Sequence, residues 1–197
     1  MSDNRRYMKG SECPEGRLLF LRLDPDENGK RTMAMAWPKS ADLGRLKEAI
    51  QAAVTETYGA NPPKMKSPVK DADTYEGEDG QLFADKYPDL AGHVFVNLST
   101  HKDFVIVGPD PKTKLEPHDI RSGDYGRAAL HAYTWENSGK KGVSLGFGNV
   151  QKLRDGEAIG GGGGSDPVSD FDDDVSAQAA KVRADSAVDD AQAGGWL

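Results

Sequence analysis

Aromatic and basic residues alternate with small residues in the segment 124–135. Side chains along a β-strand point to opposite faces in turn, so this alternation predicts a strand with two different faces. The even-numbered positions are small and mostly apolar. The odd-numbered positions carry three aromatic rings and two potential cations, at Tyr125, Arg127, His131, Tyr133 and Trp135. Rings on a sheet can stack on nucleic-acid bases, and cations can neutralise phosphates.

The alternative is that these rings form a second core face under a loop or a helix. Aromatic residues on strands are often buried in this way. The even-numbered positions already supply a side that can face the core, and Arg127 and His131 are poor core residues. The pattern therefore favours an exposed platform over a second core.

Other rings and cations lie near this segment in the chain. A polar loop with two lysines follows it at residues 136–142, and the preceding strand-like segments contribute a further ring and a further lysine. The candidate nucleic-acid-binding residues are Phe95, Lys102, Tyr125, Arg127, His131, Tyr133, Trp135, Lys140 and Lys141.

Enzymatic chemistry has little support in the residue pattern. The five glycines at 160–164 have neither the following Lys-Ser or Lys-Thr nor the preceding apolar strand of a phosphate loop. The carboxylates at 71–79 lack the spacing of a calcium loop, and Cys13 has no adjacent histidine. The histidines form no helical pair for a metal. We expect no catalytic residue, metal or cofactor, and a metal-dependent nuclease stays an open alternative.

The first half of the chain predicts a hairpin followed by a helix. Residues 17–23 and 30–37 are apolar runs separated by turn residues, as in two antiparallel strands. Apolar residues at helical spacing follow, with Ser40 or Asp42 as the cap and Gly59 as the C-terminal stop.

The second half predicts more strands. A long irregular region, 60–89, is basic in its first part and acidic in its second, and loops of this length are usually functional or disordered. Strand patterns follow at 93–98, 103–107, 124–135 and 143–147. Short strands with one main helix after the first hairpin predict a small, mostly antiparallel β-barrel, and a two-sheet sandwich fits almost as well.

Negative charge is concentrated at the C-terminal end. Residues 165–197 hold eight acidic and two basic residues, which is −6 of the formal net charge of −7 of the 197-residue chain. We therefore expect three parts: a folded domain at 1–159, a glycine linker at 160–164, and a disordered acidic tail at 165–197.

The sequence also indicates the cellular compartment of the protein. One cysteine cannot form an internal disulfide, the N-terminus has no apolar segment of a signal peptide, and no stretch reaches membrane-spanning length. We expect a protein of the host cell cytoplasm with no membrane partner.

Three short motifs resemble a known family. They are Ser-Gly-Asp-Tyr-Gly-Arg-Ala at 122–128, Gly-Lys-Lys-Gly at 139–142 and Asn-Val-Gln-Lys-Leu-Arg-Asp-Gly-Glu at 149–157. These motifs and their spacing resemble a bacteriophage family of single-stranded DNA-binding proteins. The resemblance spans roughly residues 10–160 and is most specific at 121–157. It implies an OB-like fold, an antiparallel barrel that binds single-stranded DNA.

The acidic tail is similar in plan to the tails of other phage and bacterial single-stranded DNA-binding proteins. The resemblance implies that it competes with DNA and docks replication or recombination proteins. The candidate partner-binding residues are Asp172, Asp173, Asp174, Trp196 and Leu197. In those relatives the last residue is often aromatic, whereas here Trp196 is followed by Leu197.

The resulting hypothesis is a non-enzymatic protein that coats and protects single strands, whatever their sequence, in phage DNA replication or recombination. It recruits partner proteins through its tail. Besides the nuclease, a virion or scaffold protein that uses the sheet as a protein interface stays an alternative. The sequence leaves the oligomeric state open.

Overall fold

A computed structural model describes residues 6–159 of the chain. The predicted glycine linker at 160–164 and the predicted acidic tail at 165–197 lie outside the described residues. The five tail positions proposed for partner binding lie outside them as well: Asp172, Asp173, Asp174, Trp196 and Leu197.

The N-terminal half contains the predicted hairpin and helix. Its elements are β1 (Tyr7–Met8), β2 (Gly16–Arg22), β3 (Arg31–Pro38) and α1 (Gly44–Tyr58). Before the helix, an Asp42 side-chain oxygen accepts a hydrogen bond from the Gly44 backbone N–H at 2.8 Å. After it, Gly59 has a φ of 69°, a conformation that glycine adopts without steric cost. The hairpin, the helix and its glycine stop are confirmed.

The C-terminal half contains two strands much longer than the others. Its elements are β4 (Val69–Asp71), α2 (Phe83–Lys86), β5 (His93–Thr100), β6 (Ile106–Val107), β7 (Lys114–Leu115), β8 (Tyr125–Asn137) and β9 (Lys140–Arg154). The strand predicted at 103–107 is reduced to β6, and the return strand predicted at 143–147 is the middle of a 15-residue β9. The irregular region contains β4 and α2. Of the described helices, neither is long and apolar enough to cross a membrane.

Five strands close into a ring in the order β2, β3, β5, β9, β8, because β8 pairs with both β9 and β2. All but one of these pairings are antiparallel, and β5 runs parallel to β9. A closed five-stranded ring of this kind is typical of the OB-fold. The OB-like prediction is therefore confirmed, as a ring of strands with one parallel pairing rather than a regular barrel.

Two hydrophobic clusters lie on opposite faces of the ring. Alternate residues of the strands point inward, where α1 packs on them, and this inner core includes Leu18, Met35, Trp37, Val96, Leu130 and Phe147. Outside β2, β3 and β5 lies a second cluster that contains Leu19, Ala34, Ala36, Ala72, Leu90, Phe95 and Ile159. Aromatic residues from the region between β4 and β5 pack on this outer cluster, so that region covers part of the sheet.

Candidate nucleic-acid interface

Trp135 lies on the outer face of β8, directly opposite Gly142 of β9. A Cβ atom at position 142 would come within 2.6 Å of the Trp135 Cε2 atom, so the indole ring lies directly against the glycine. The residue is still 40% exposed. Since an aromatic ring has two faces, one can rest on the β9 backbone while the other remains open to a base.

Tyr133 and His131 continue the same face toward the middle of β8. Tyr133 lies opposite Ser144 and is 37% exposed. His131 lies opposite Gly146, is half-buried, and its ring centroid is 5.9 Å from that of Tyr133. Burial, together with the positive charges of Lys102 and Arg6, lowers the pKa of His131, so the imidazole is mainly neutral at neutral pH.

A basic groove of about 740 Å³ runs beside Trp135, between the segment 64–70 and the β8–β9 hairpin. We call it the lysine groove. Trp135 and five lysines line it: Lys64, Lys66, Lys70, Lys140 and Lys141. Within the described part of the chain, no aspartate or glutamate lines this groove. An arrangement of cations without interleaved acids attracts a polyanion.

Three of these lysines are free to contact a ligand. The Lys70 ammonium donates to the Tyr75 hydroxyl at 3.1 Å, and the Lys141 ammonium lies 3.4 Å from the Glu136 carboxylate. By contrast, the ammonium groups of the other three make no hydrogen bond or ion pair within residues 6–159: Lys64, Lys66 and Lys140. An unpaired ammonium can bind a phosphate without first breaking an internal ion pair.

Tyr125 lies at the other end of β8, and its ring already contacts protein cations. The Arg154 guanidinium carbon is 3.4 Å from the ring centroid and that of Arg17 is 4.7 Å away. Arg17 also donates to the Tyr125 hydroxyl at 2.9 Å, and Arg154 pairs with Glu15 at 2.7 Å. These contacts hold the ring within the protein rather than presenting it to a ligand.

Arg127, next on the same face, connects β8 to a loop. Its Nε donates to the Gln151 side-chain oxygen at 2.8 Å. The Gln151 amide in turn donates to the backbone oxygens of Gly108 and Pro109 at 3.1 and 3.0 Å. Arg127 therefore positions Gln151 and the 108–109 loop, and lies apart from the lysine groove.

Comparison with known proteins places this chain in a family. A family model described as Enterobacter phage Enc34, ssDNA-binding protein, matches residues 26–181. The chain belongs to this family. No curated protein sequence matches the chain.

Solved structures of that phage protein share the fold. The single-stranded DNA-binding protein from bacteriophage Enc34 is 20% identical, with a TM-score of 0.57 over 79% of this chain and 86% of that one. The structure of the same protein in complex with ssDNA is 18% identical, with a TM-score of 0.58 over 74% and 86%. Its C-terminal truncation is 16% identical, with a TM-score of 0.58 over 73% and 85%.

The phage family is one of binding proteins rather than enzymes. In this member, three of the five carboxylates of the acidic segment are engaged by lysines: Asp71 and Asp73 each lie 2.8 Å from the Lys39 ammonium, and Asp79 lies 2.6 Å from that of Lys86. Among residues 6–159, no group of three or more His, Cys, Asp or Glu side chains is placed to hold a metal ion.

In this family member, the residues that carry the 122–128 and 149–157 motifs meet in a buried junction. The Asp124 carboxylate is fully buried and accepts hydrogen bonds from the backbone N–H groups of Arg121 and Gly156. It also lies 3.0 Å from the Lys152 ammonium. Burial alone would raise the pKa of Asp124. The hydrogen bonds and the Lys152 ammonium outweigh the effect of burial, so the pKa of Asp124 is lowered. The residues of these two motifs that surround Asp124 therefore have a structural role.

Two further predicted site residues belong to β5 and to the turn after it. Phe95 is only 2% exposed, and its ring stacks on Phe83 with centroids 4.3 Å apart. It belongs to the outer hydrophobic cluster, because the region between β4 and β5 folds over that side of β5, and it is not accessible for stacking. Lys102 is exposed in the turn after β5, where its charge acts on His131.

The sequence reading missed part of the interface. It noted the basic segment with Lys64, Lys66 and Lys70 but did not place it next to Trp135. Three lysines within the seven residues 64–70, directly after Pro62 and Pro63, were the available signal. It also missed Tyr7, which pairs with His131 across β1 and β8 and is 40% exposed.

Proposed function

We propose that this chain binds single-stranded DNA, with phosphates in the lysine groove and bases on the rings of Tyr133 and Trp135. One observation carries the proposal: among residues 6–159, five lysines and no acidic residue line a groove beside an exposed tryptophan that is packed on a glycine. Phosphate contacts supply salt-dependent affinity, and each stacked base adds about 1–3 kcal/mol. Membership of a family named for an ssDNA-binding protein supports the same ligand.

The chemistry of the groove favours single strands of any sequence. Stacking requires bases that are not already stacked within a duplex. Stacking and phosphate contacts carry little information about base identity, so the order of the bases has little effect on affinity.

We also propose a role in phage DNA metabolism within the host cell cytoplasm. By coating exposed single strands, the protein keeps them from refolding and from nucleases during replication or recombination. The net charge of −6 in residues 165–197 and the terminal Trp196-Leu197 support a tail that recruits partner proteins. This tail role rests on the sequence.

Fluorescence anisotropy with labelled oligonucleotides tests the binding proposal. We expect oligo-dT and mixed-sequence single strands to bind alike, duplex of the same sequence to bind more weakly, and log K to fall linearly with log salt. Equal affinity for duplex and single strand at matched salt would contradict the proposal. Incubation with magnesium provides a second readout, in which the labelled strand stays intact; its degradation would indicate a nuclease.

A further inference from the structure

Phe20 has an unusual backbone conformation for a bulky residue. Its φ is 51°, in the left-handed region that is sterically unfavourable for an L-residue. The β2–β3 register shifts between Leu19 and Arg22, so two residues of β2 face one residue of β3. This is a β-bulge, a feature that changes the direction of a side chain.

The bulge places the Phe20 ring outside the barrel. Leu18 points into the inner core and Leu19 into the outer cluster, so regular alternation would direct Phe20 inward. Instead, Phe20 packs on the outer cluster with Leu19. Its ring contacts those of Phe83 and Tyr87, with centroids 5.9 and 5.1 Å away, and it remains partly exposed.

Phe20 lines a second groove that adjoins the lysine groove. This groove, which we call the Phe20 groove, has a volume of about 470 Å³ and includes Arg22 and Lys30. Asn97 and Ser144 line both grooves, so the two grooves adjoin at these residues. The side chains of Arg22 and Lys30 make no hydrogen bond or ion pair within the described residues.

We propose that Phe20 is a second stacking residue for DNA, and that one bound strand runs from Trp135 past Asn97 and Ser144 to Phe20. Arg22 and Lys30 contact phosphates at that end. This inference rests on the proposed function and extends it, since it gives the path of the strand beyond the lysine groove. A strained, bulged aromatic at the end of a polar path fits a residue held in place for a ligand.

Binding by Phe20 variants of the full-length chain tests this inference. Phe20→Leu keeps an apolar contact with Phe83 and Tyr87 but removes the ring face. We expect Phe20→Leu to weaken oligo-dT binding about 5- to 150-fold, the contribution of one base stack. Phe20→Tyr keeps a ring at this position and is expected to bind like the wild type. The matched control is Phe104→Leu, at a partly buried aromatic that lines neither groove.

Photo-crosslinking of iodouracil-substituted oligonucleotides to the wild-type chain needs no variant and serves as an independent test. We expect crosslinks at both Phe20 and Trp135. Crosslinks at Trp135 without Phe20, or wild-type affinity in folded Phe20→Leu, would overturn the extended path and leave the proposed function intact. If the wild-type chain binds no single-stranded DNA, the proposed function itself fails.

Discussion

The Trp135 ring lies against Gly142 of the neighbouring strand so closely that even a methyl group at position 142 would displace it. The residue stays 40% exposed in spite of this contact. The glycine therefore provides a flat support for a ring whose outer face is open. Gly142 has no side chain that could contact DNA, yet it contributes to the proposed stacking of DNA bases by supporting the Trp135 ring.

We expect Gly142→Ala to weaken single-strand binding by up to about 1–3 kcal/mol, because the new methyl group pushes the Trp135 ring off its support. Gly148→Ala is the matched control, since a Cβ atom there meets only ordinary contacts with Ala129 at 3.7 and 3.9 Å. Anisotropy titrations measure the DNA affinity of both variants, and thermal melts check that both are folded. Equal losses in the two variants would argue against the role of the glycine support.

The lysine groove predicts a specific salt dependence. We expect Lys64→Ala, Lys66→Ala and Lys140→Ala each to reduce the slope of log K against log salt by about 0.7–1, because each removes one phosphate contact. Lys47→Ala makes the same charge change on the exposed face of α1, away from the groove. Titrations at several salt concentrations compare the four. An equal slope change in Lys47→Ala would indicate a general charge effect.

Asp124 predicts a pH dependence of stability. Its pKa in the folded state lies below its unfolded value, so its stabilising contribution is present above pH about 4 and is lost as the pH falls. We expect Asp124→Asn to lower stability at neutral pH by about 1–3 kcal/mol and to flatten the decline in acid. Asp89→Asn, at an exposed carboxylate, is the control. Urea denaturation at several pH values measures the stability of both variants and of the wild type. Parallel curves of stability against pH for Asp124→Asn and the wild type would contradict this role of Asp124.

Removal of residues 165–197 is expected to raise single-strand affinity, most at low salt, because six net negative charges no longer compete with DNA phosphates. Thermal stability changes little, and binding to a replication or recombination partner is lost. Trp196→Ala in the full-length chain is the control: it keeps the charge, so DNA affinity stays as in wild type while partner binding falls. Lower DNA affinity after truncation, or partner binding that survives it, would refute this role of the tail.

Local sequence patterns were sufficient for much of the fold. The alternation in 124–135 located the long β8 and correctly separated its inner and outer faces, because residues two apart on a strand share a side. The spacing of Leu43, Leu46, Ile50 and Val54 likewise located α1 between the first hairpin and the later strands.

The same patterns do not show which residues pack against each face of a strand. Tyr125 and Trp135 occupy equivalent positions in the alternation, yet Arg17 and Arg154 lie over the first ring while the second lies on a glycine. Phe95 was placed with the exposed candidates because nothing in its own strand shows that Phe83 covers it. These contacts join residues distant in the chain, so they depend on tertiary packing that one sequence does not display.

The most direct test is a fluorescence titration of Trp135 with poly-dT. Trp37 is fully buried and Trp196 can be replaced by phenylalanine, so Trp135 reports on the groove. We expect poly-dT to quench the exposed emission with a salt-dependent affinity, and Trp135→Ala and Tyr133→Ala each to weaken binding by about 1–3 kcal/mol in anisotropy. Tight DNA binding that leaves Trp135 emission unchanged, together with normal affinity in both folded alanine variants, would contradict the central claim that these rings stack on DNA.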